Sequence, residues 1–323
     1  MKKLFATIGI VAMLTAASIG YTGCSKQNIN LPKENGTIEV LFSKTTDCES
    51  RLEQMVTAAS QVKAALYDLD SEKLIATLKS HDAELLIFED NYAGLGQKVG
   101  SAGLMHDKFW LFYNISGEDY IATGSVNPTK NDFFKNDNNL VIISSDYLKK
   151  NYEAEFQELK SQGKNNPTVY QKIIFNGNLL ENYFCPDDGC EGKVLGALKN
   201  AKERIYFMTF SFTSDPLGDY IVSRKNELDI KGVFDESQYN SKKQYSEYSK
   251  MLGSGMDVKL DGNQYKLHHK VFIIDNETVV LGSYNPTSAG TSKNDENILI
   301  IHDPKIASLF LKEFERVWQL ANQ

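Results

Sequence analysis

The sequence has none of the short signatures of the common nucleotide and zinc enzymes: no GxxxxGK[ST], no GxGxxG following a strand and no HExxH. Phosphate-loop, dinucleotide and zincin chemistry are thereby removed. It also lacks an excess of positive charge. Lys plus Arg number 35 against 42 Asp plus Glu, for a net charge of −7, so the whole-chain field repels polyanions; a general nucleic-acid coat is disfavoured, while a local basic cleft stays open. Cysteine (4) and histidine (5) are scarce. The spacing Cys185-x4-Cys190, with no histidine nearby, makes a poor metal site. What is present is 323 residues, 41% hydrophobic and 24% charged, a globular composition with material for about two domains at roughly 100–200 residues each.

Met1-Lys2-Lys3 followed by an uncharged run over 4–17 reads as an export signal, since the run is too short for a comfortable transmembrane helix. It ends in Tyr21-Thr22-Gly23-Cys24, which resembles the lipobox of bacterial-type lipoproteins, in which the Cys after Gly becomes the lipidated first residue. Tyr21 departs from the usual aliphatic. The expectation is a signal over 1–23, lipidation at Cys24 and a mature part anchored at the cell surface or envelope; an ordinary signal peptide, giving a secreted protein, is the other reading. With Cys24 lipidated, Cys48, Cys185 and Cys190 remain. An oxidising compartment allows one disulfide among them, and spacing does not choose the pair.

The chain is a duplication. Ile38-Glu39-Val40-Leu41-Phe42 aligns with Leu180-Glu181-Asn182-Tyr183-Phe184, and the same offset of 142 superposes Cys48-Glu49 on Cys190-Glu191. Each copy continues with helical spacing (51–60, 193–201) and a strand-like run (62–69, 204–212). His106 matches His268 at an offset of 162, so the second copy holds about 20 extra residues, placed at 236–255. Within these, 241–251 is expected to be a helix, with Tyr239, Tyr245 and Tyr248 as packing residues. Each copy closes with two strands joined by a turn (109–113 with 120–123, 271–274 with 278–281), a further strand and a long amphipathic helix (146–159, 304–320). The last helix carries Ile306, Leu309, Phe310, Phe314 and Trp318 on one stripe. The glycine-rich stretch 93–100 reads as a flexible loop. The organisation expected is a first α/β domain over 24–160, a linker over 161–169 and a second over 170–323.

The chemistry lies in paired constellations. In Leu267-His268-His269-Lys270 the strand period of two puts His268 and Lys270 on one face and His269 on the other. Gly282-Ser283-Tyr284-Asn285 follows, with Ser283 and Asn285 on one face if the strand continues, then Asn294-Asp295-Glu296-Asn297, which supplies a carboxylate. The first copy repeats this as His106-Asp107-Lys108, Gly124-Ser125-Val126-Asn127 and Asn136-Asp137-Asn138-Asn139. One His-x-Lys is weak evidence; two, each followed by Gly-Ser-x-Asn-Pro-Thr, are strong. His81 and His302 stand outside the repeat and read as surface or packing residues. Asp107 and His269 are expected to support the sheet side.

These residues resemble the signature of the phospholipase D superfamily, HxKxxxxD followed by GSxN, present twice per active unit. The resemblance covers nearly the whole mature chain, and the compact copies are similar to those of the superfamily's small bacterial endonucleases. It implies two α/β/α sandwiches on mixed sheets, a pseudo-two-fold axis and one shared site. Independent physical logic agrees: a metal-free catalyst for an anionic diester needs fixed cations and amide donors at the phosphoryl oxygens, a nucleophile on one side and an acid on the other. In family members one histidine attacks phosphorus and the other protonates the leaving oxygen. Lys108, Lys270, Asn127 and Asn285 would then hold phosphate with Ser125 and Ser283 assisting, Gly124 and Gly282 completing the motif; no metal or cofactor is required.

The first copy departs from the signature. Tyr113 stands where Asp275 stands in the second, and its hairpin over 114–119 is longer. Asp275 points away from His268 by strand parity, so it reads as turn-forming, and its absence from the first copy need not stop catalysis. Asn138 replaces Glu296, and a carboxylate on Nδ1 is what fixes an imidazole's tautomer. A crossed arrangement, Glu296 on His106 and Asn138 on His268, would favour His106 as nucleophile and His268 as acid. Three functions follow: a phosphodiesterase acting on phospholipid head groups, an extracellular or surface endonuclease, or a non-catalytic phosphodiester-binding module. Since two copies complete one site, a monomer is expected.

Overall fold

A computed structural model describes residues 30–163 and 167–322. The expected signal, Cys24 and part of the linker lie outside them. Among the described residues no helix is long and apolar enough to cross a membrane.

The first copy runs β1 (Lys33–Glu34), β2 (Ile38–Phe42), α1 (Cys48–Ala58), β3 (Gln61–Leu66), α2 (Glu72–Ser80), β4 (Glu84–Phe88), β5 (Gln97–Val99), β6 (Lys108–Ile115), β7 (Glu118–Gly124), α3 (Lys130–Phe134), β8 (Asn139–Ser144) and α4 (Asp146–Ser161). The second runs β9 (Lys172–Phe175), β10 (Asn178–Cys185), α5 (Cys190–Leu198), β11 (Arg204–Thr209), α6 (Asp215–Ser223), β12 (Asp229–Phe234), α7 (Glu236–Ser241), α8 (Glu247–Gly253), β13 (Asp257–Leu260), β14 (Lys270–Ile274), β15 (Thr278–Gly282), α9 (Ser288–Ser292), β16 (Glu296–His302) and α10 (Pro304–Leu320). One mixed sheet is ordered β2-β8-β7-β6-β3-β4-β5. The other repeats that order as β10-β16-β15-β14-β11-β12-β13 and extends it by β9 and β1. β1, from the N-terminal side, pairs in parallel with β9, so the second sheet takes a strand from the first copy.

Along β6 the alternation of a strand sends Phe109 and Leu111 to one face and Trp110 and Phe112 to the other. The first face looks into a central core that holds α4, α10 and the inner faces of both sheets. Aromatic contacts cross it: Tyr152 of α4 meets Phe184 of β10 at 5.0 Å, and Phe42 of β2 meets Phe310 of α10 at 5.2 Å. Residues Leu31–Gln323 accordingly form one compact unit. The other faces pack against α1 and α2 in one copy and α5, α6 and α8 in the other.

Four expectations change. The helix over 241–251 is broken: Asp235 caps α7 by accepting from the Gln238 N–H, so that helix starts early, and Ser246 caps a fresh helix, α8. Tyr248 is buried there, while Tyr245 is exposed rather than packed. The stretch 93–100 is not all loop, because Gln97–Val99 pair in parallel with Leu86–Phe88 as an edge strand. Leu309 on the α10 stripe is exposed, since the core is reached by Ile306, Phe310 and Phe314. Cys185 and Cys190 form a disulfide joining the end of β10 to the start of α5, and Cys48 is a buried free thiol whose pKa burial pushes up to about 11.

Candidate active site

Each histidine lies two residues before a central strand, β6 or β14, and is held there by the other copy. The His106 N–H donates to the Asp295 carbonyl (2.9 Å) and the His268 N–H to the Asp137 carbonyl (2.9 Å). Asp295 in turn donates to Leu104 and Asp137 to Lys266. The segment before β16 thus pairs with the segment before β6, and the segment before β8 with the one before β14. This reciprocal exchange brings both histidines to one cavity of about 370 Å³, lined also by Asn127, Asn285, Tyr67, Phe210, Lys242 and Lys266.

The side-chain partners are crossed too. His106 Nδ1 lies 2.7 Å from Glu296 Oε2, and His268 Nδ1 lies 2.8 Å from Asn138 Oδ1. An aromatic edge backs each ring at 4.8 Å, Tyr67 for His106 and Phe210 for His268. With Nδ1 committed on both rings, the chemistry falls to Nε2. Lys108 and Lys270 are fully buried. Each ammonium donates to the carbonyl of its own histidine, at 2.5 and 2.7 Å, and lies over the same aromatic ring, Tyr67 at 5.0 Å and Phe210 at 4.9 Å.

Burial dominates the electrostatics. It pushes Lys108 down to about 8 and Lys270 well below its usual value, the carboxylates opposing in each case. It drives both imidazoles well below theirs, with Lys108 and Lys270 adding to the effect. Glu296 is pushed up to about 7, again by burial. The cavity wall carries Asp68 and Asp132 as well as Lys242 and Lys266, and the charged forms of Lys108, Lys270 and both imidazoles behind it are disfavoured by burial, a penalty that a bound anion would relieve.

The motif residues divide into those at the cavity and those that hold it. Asn127 and Asn285 line it, and the Oδ1 of each is buried without a protein partner. The Asn127 amide donates to Asp132 Oδ2 at 2.8 Å. Ser125 and Ser283 do not line it: β7 and β15 end at Gly124 and Gly282, both at φ +147°, where a Cβ would come within 2.3 and 2.1 Å of the Asn139 and Asn297 carbonyls, and the chain turns inward. The strand does not continue, so the expected common face of Ser283 and Asn285 does not form. Instead the Ser125 hydroxyl donates to Asn138 Oδ1 (2.9 Å) and accepts from the Asn139 N–H, while Ser283 accepts from the Asn297 N–H and bonds Glu296. The serines steady the partners of the histidines. Asp275 sits at φ +53° and accepts from the N–H groups of Lys202, Glu203 and Arg204, a turn clamp remote from the chemistry; Tyr113 bonds Glu153 instead. His269 bonds Asn139 and Glu313, and Asp107 accepts from Asn297, on the sheet side. His302 bonds Glu181 and Thr278, and His81 the end of α2.

Sequence reasoning missed Tyr67, Phe210, Lys242, Lys266 and Asp132. The first two had a signal, an aromatic just after the corresponding strand in each copy. Asp132 had none, because its counterpart is Gly290.

The family described as "Cardiolipin synthase, PLD-like domain" matches residues 27–160 and 194–318. A mitochondrial cardiolipin hydrolase of Chlamydomonas reinhardtii is 25% identical over 169 residues, covering 45% of this chain and 75% of that protein. A phospholipase D of Rickettsia typhi (strain ATCC VR-144 / Wilmington) is 28% identical over 132 residues, 41% of this chain and 64% of that one, so the chain spans a little under two thirds of that relative. The solved phosphatidylserine synthase of Haemophilus influenzae Rd KW20 shares the fold at 13% identity, with a TM-score of 0.64 over 91% of this chain and 89% of that one, both copies included. Two matched copies whose His-x-Lys and Gly-Ser-x-Asn segments converge on one cavity place the chain in the phospholipase D-like superfamily of phosphodiesterases, in the family of cardiolipin synthase PLD-like domains.

Proposed function

We propose that this chain hydrolyses phosphodiesters without a metal ion, acting on phospholipid head groups through a phosphohistidine. His106 Nε2 attacks phosphorus, forming the N–P bond as the P–O bond to the head group breaks, and His268, protonated at Nε2 once the diester's negative charge occupies the cavity, gives that proton to the departing oxygen. Water then loses a proton to His268 and displaces His106, returning both rings to their starting states. Lys108, Lys270, Asn127 and Asn285 stabilise the charge that builds on the phosphoryl oxygens. The observation that carries the reading is the crossed pairing of two buried imidazoles on one cavity, each fixed at Nδ1 by the opposite copy, with the buried Lys108 and Lys270 bonded to their backbone carbonyls. The stronger partner, a carboxylate, is on His106, which supports its role as nucleophile, since it best stabilises the positive ring in the phosphohistidine.

Phospholipid is favoured as substrate by the matched relatives, named as a cardiolipin hydrolase and a phospholipase D, by the acidic chain and by the apparent export signal with anchoring at Cys24. A monomer suffices, because one chain brings both motifs to one cavity. Lys242 and Lys266 beside the cavity are what favours a nuclease as second reading. The full chain, assayed in EDTA against phosphatidylcholine vesicles and single-stranded DNA with His268→Asn as control, decides. Lipid turnover lost in the variant is expected. DNA cleavage lost in the variant would make it a nuclease, and silence on both would leave the diester-binding module.

A further inference from the structure

Segments 124–139 and 282–297 align without a gap, from Gly-Ser to Asn-Asn. Both carry the Asp of Asp137 and Asp295, and each has one further carboxylate, at different places: Glu296 in the second copy, where the first has Asn138, and Asp132 in the first, where the second has Gly290. A side chain at 290 is excluded by packing, as its Cβ would come within 2.3 Å of the Asn285 carbonyl.

In the structure Asp132 is buried at 3% exposure in α3. Its Oδ2 accepts from the backbone N–H (2.7 Å) and side-chain amide (2.8 Å) of Asn127, and its Oδ1 accepts from Asn136 Nδ2 at 2.6 Å. Those bonds aim Oδ2 at the catalytic cavity, 3.6 Å from His268 Nδ1, the one carboxylate within ion-pair reach of that ring among the described residues. The groups that act on His268 electrostatically are cationic or ionise to cations, namely Lys270 at the start of β14, Lys108 and His106 from the first copy and Lys266 just before it, while the Asp68 carboxyl lines the same cavity. Asp235, at the N-cap of α7, is engaged by the Leu267 N–H.

We propose that Asp132 is the positioning carboxylate of His268, the first copy's replacement for the acid that Asn138 lacks, displaced six residues along the loop. Asn138 Oδ1 accepts the Nδ1–H and sets the ring's orientation, while Asp132 supplies the nearby negative charge that opposes the lowering of the ring's pKa by burial and by Lys270, Lys108, His106 and Lys266. It also ties that charge to Asn127, so the amide beside the phosphate and the acid that protonates the leaving group move together. The inference rests on the proposed hydrolysis for its consequence, but its physical content is the titration of one ring.

The test uses the full chain with isotope-labelled histidine, the His268 resonance being assigned by its loss in His268→Gln. Asp132→Asn, isosteric and uncharged, is expected to lower the His268 pKa by about one unit or more, and to lower kcat at least tenfold with little change in KM. Asp132→Glu keeps the charge and is expected to titrate near the parent. The double variant Asp132→Gly with Asn138→Glu gives the first loop the second loop's arrangement and is expected to restore both the titration and most of the lost kcat. An unchanged His268 titration in Asp132→Asn, or a double variant that leaves it where Asp132→Asn put it, overturns the inference. A titration that shifts and returns as expected in a protein that cleaves no diester upholds it while overturning the proposed hydrolysis.

Discussion

Glu296 sits where function and stability pull apart, and replacing it by Gln separates them. The side chain is fully buried, and burial pushes its carboxyl from 4.5 to about 7 against the pull of Lys108, Asn294, Ser283 and Lys270. Below pH 4.5 folded and unfolded chains both hold the proton, so the group has no effect on the folding balance. Between 4.5 and about 7 the unfolded chain ionises first, which favours unfolding; above 7 the full penalty stands. The rise from 4.5 to about 7 makes that penalty about 3 kcal/mol. Gln carries no such penalty. It forfeits one acceptor, since both carboxylate oxygens are bonded, one to His106 and the other to Asn294 at 3.2 Å, and this costs about 1–3 kcal/mol at every pH. The measurable quantity is therefore the change with pH: relative to the parent, Glu296→Gln should gain about 3 kcal/mol of stability between pH 4.5 and pH 8. Urea unfolding of both proteins at the two pH values reads it, with the slope of free energy on denaturant checked for constancy.

Activity should move the other way. Without the carboxylate at 2.7 Å, His106 keeps an acceptor for Nδ1 but loses the charge that stabilises the ring once it has attacked, and kcat on a chromogenic diester should fall about 10²-fold or more. A variant that gains no stability on going from pH 4.5 to pH 8, or that turns over at the parental rate, would refute the account of Glu296 as a strained, functional acid.

Asp275→Ala should cost about 3 kcal/mol, by freeing the N–H groups of Lys202, Glu203 and Arg204 and placing Ala at φ +53°, while kcat on the chromogenic diester stays within about twofold of the parent. Reduction of Cys185–Cys190 closes a short loop no longer and should cost about 2 kcal/mol in thermal or urea unfolding, whereas Cys48, buried with its thiol pushed up to about 11, should resist a thiol reagent in the folded chain at neutral pH.

Much of this was legible in the chain because the duplication writes each element twice. The common run of helices and strands, the last helix at 304–320 and the two His-x-Lys segments could each be checked against a second copy. The turn role of Asp275 followed from strand parity, which holds along β14. Parity misled one residue past a strand end: Ser283 was carried forward on the face of Asn285, but Gly282 turns the chain at φ +147° and buries the hydroxyl. Elements with no counterpart were the hardest to see. The break between α7 and α8 depends on two caps in an insertion, β5 follows from pairing with β4 rather than from its glycine-rich composition, and β1 adds to the sheet of the other copy. Asp132 hides for the same reason, as comparison of the copies points to the missing acid at 138 and to nothing at 132.

Crossed partners explain why the copies have been free to differ. Glu296 belongs to the second copy's strand but serves the first copy's histidine, and Asn138 and Asp132 belong to the first but face the second's. A change in one loop therefore alters only one of the two rings, and always the ring on the other copy. Two identical copies would give two rings of identical basicity, and a pair meant to act as nucleophile and acid is served better by unequal ones. A carboxylate hydrogen-bonded at 2.7 Å on one side, and an amide with a carboxylate held off at 3.6 Å on the other, is the inequality that a single chain permits and a symmetric pair of identical chains does not.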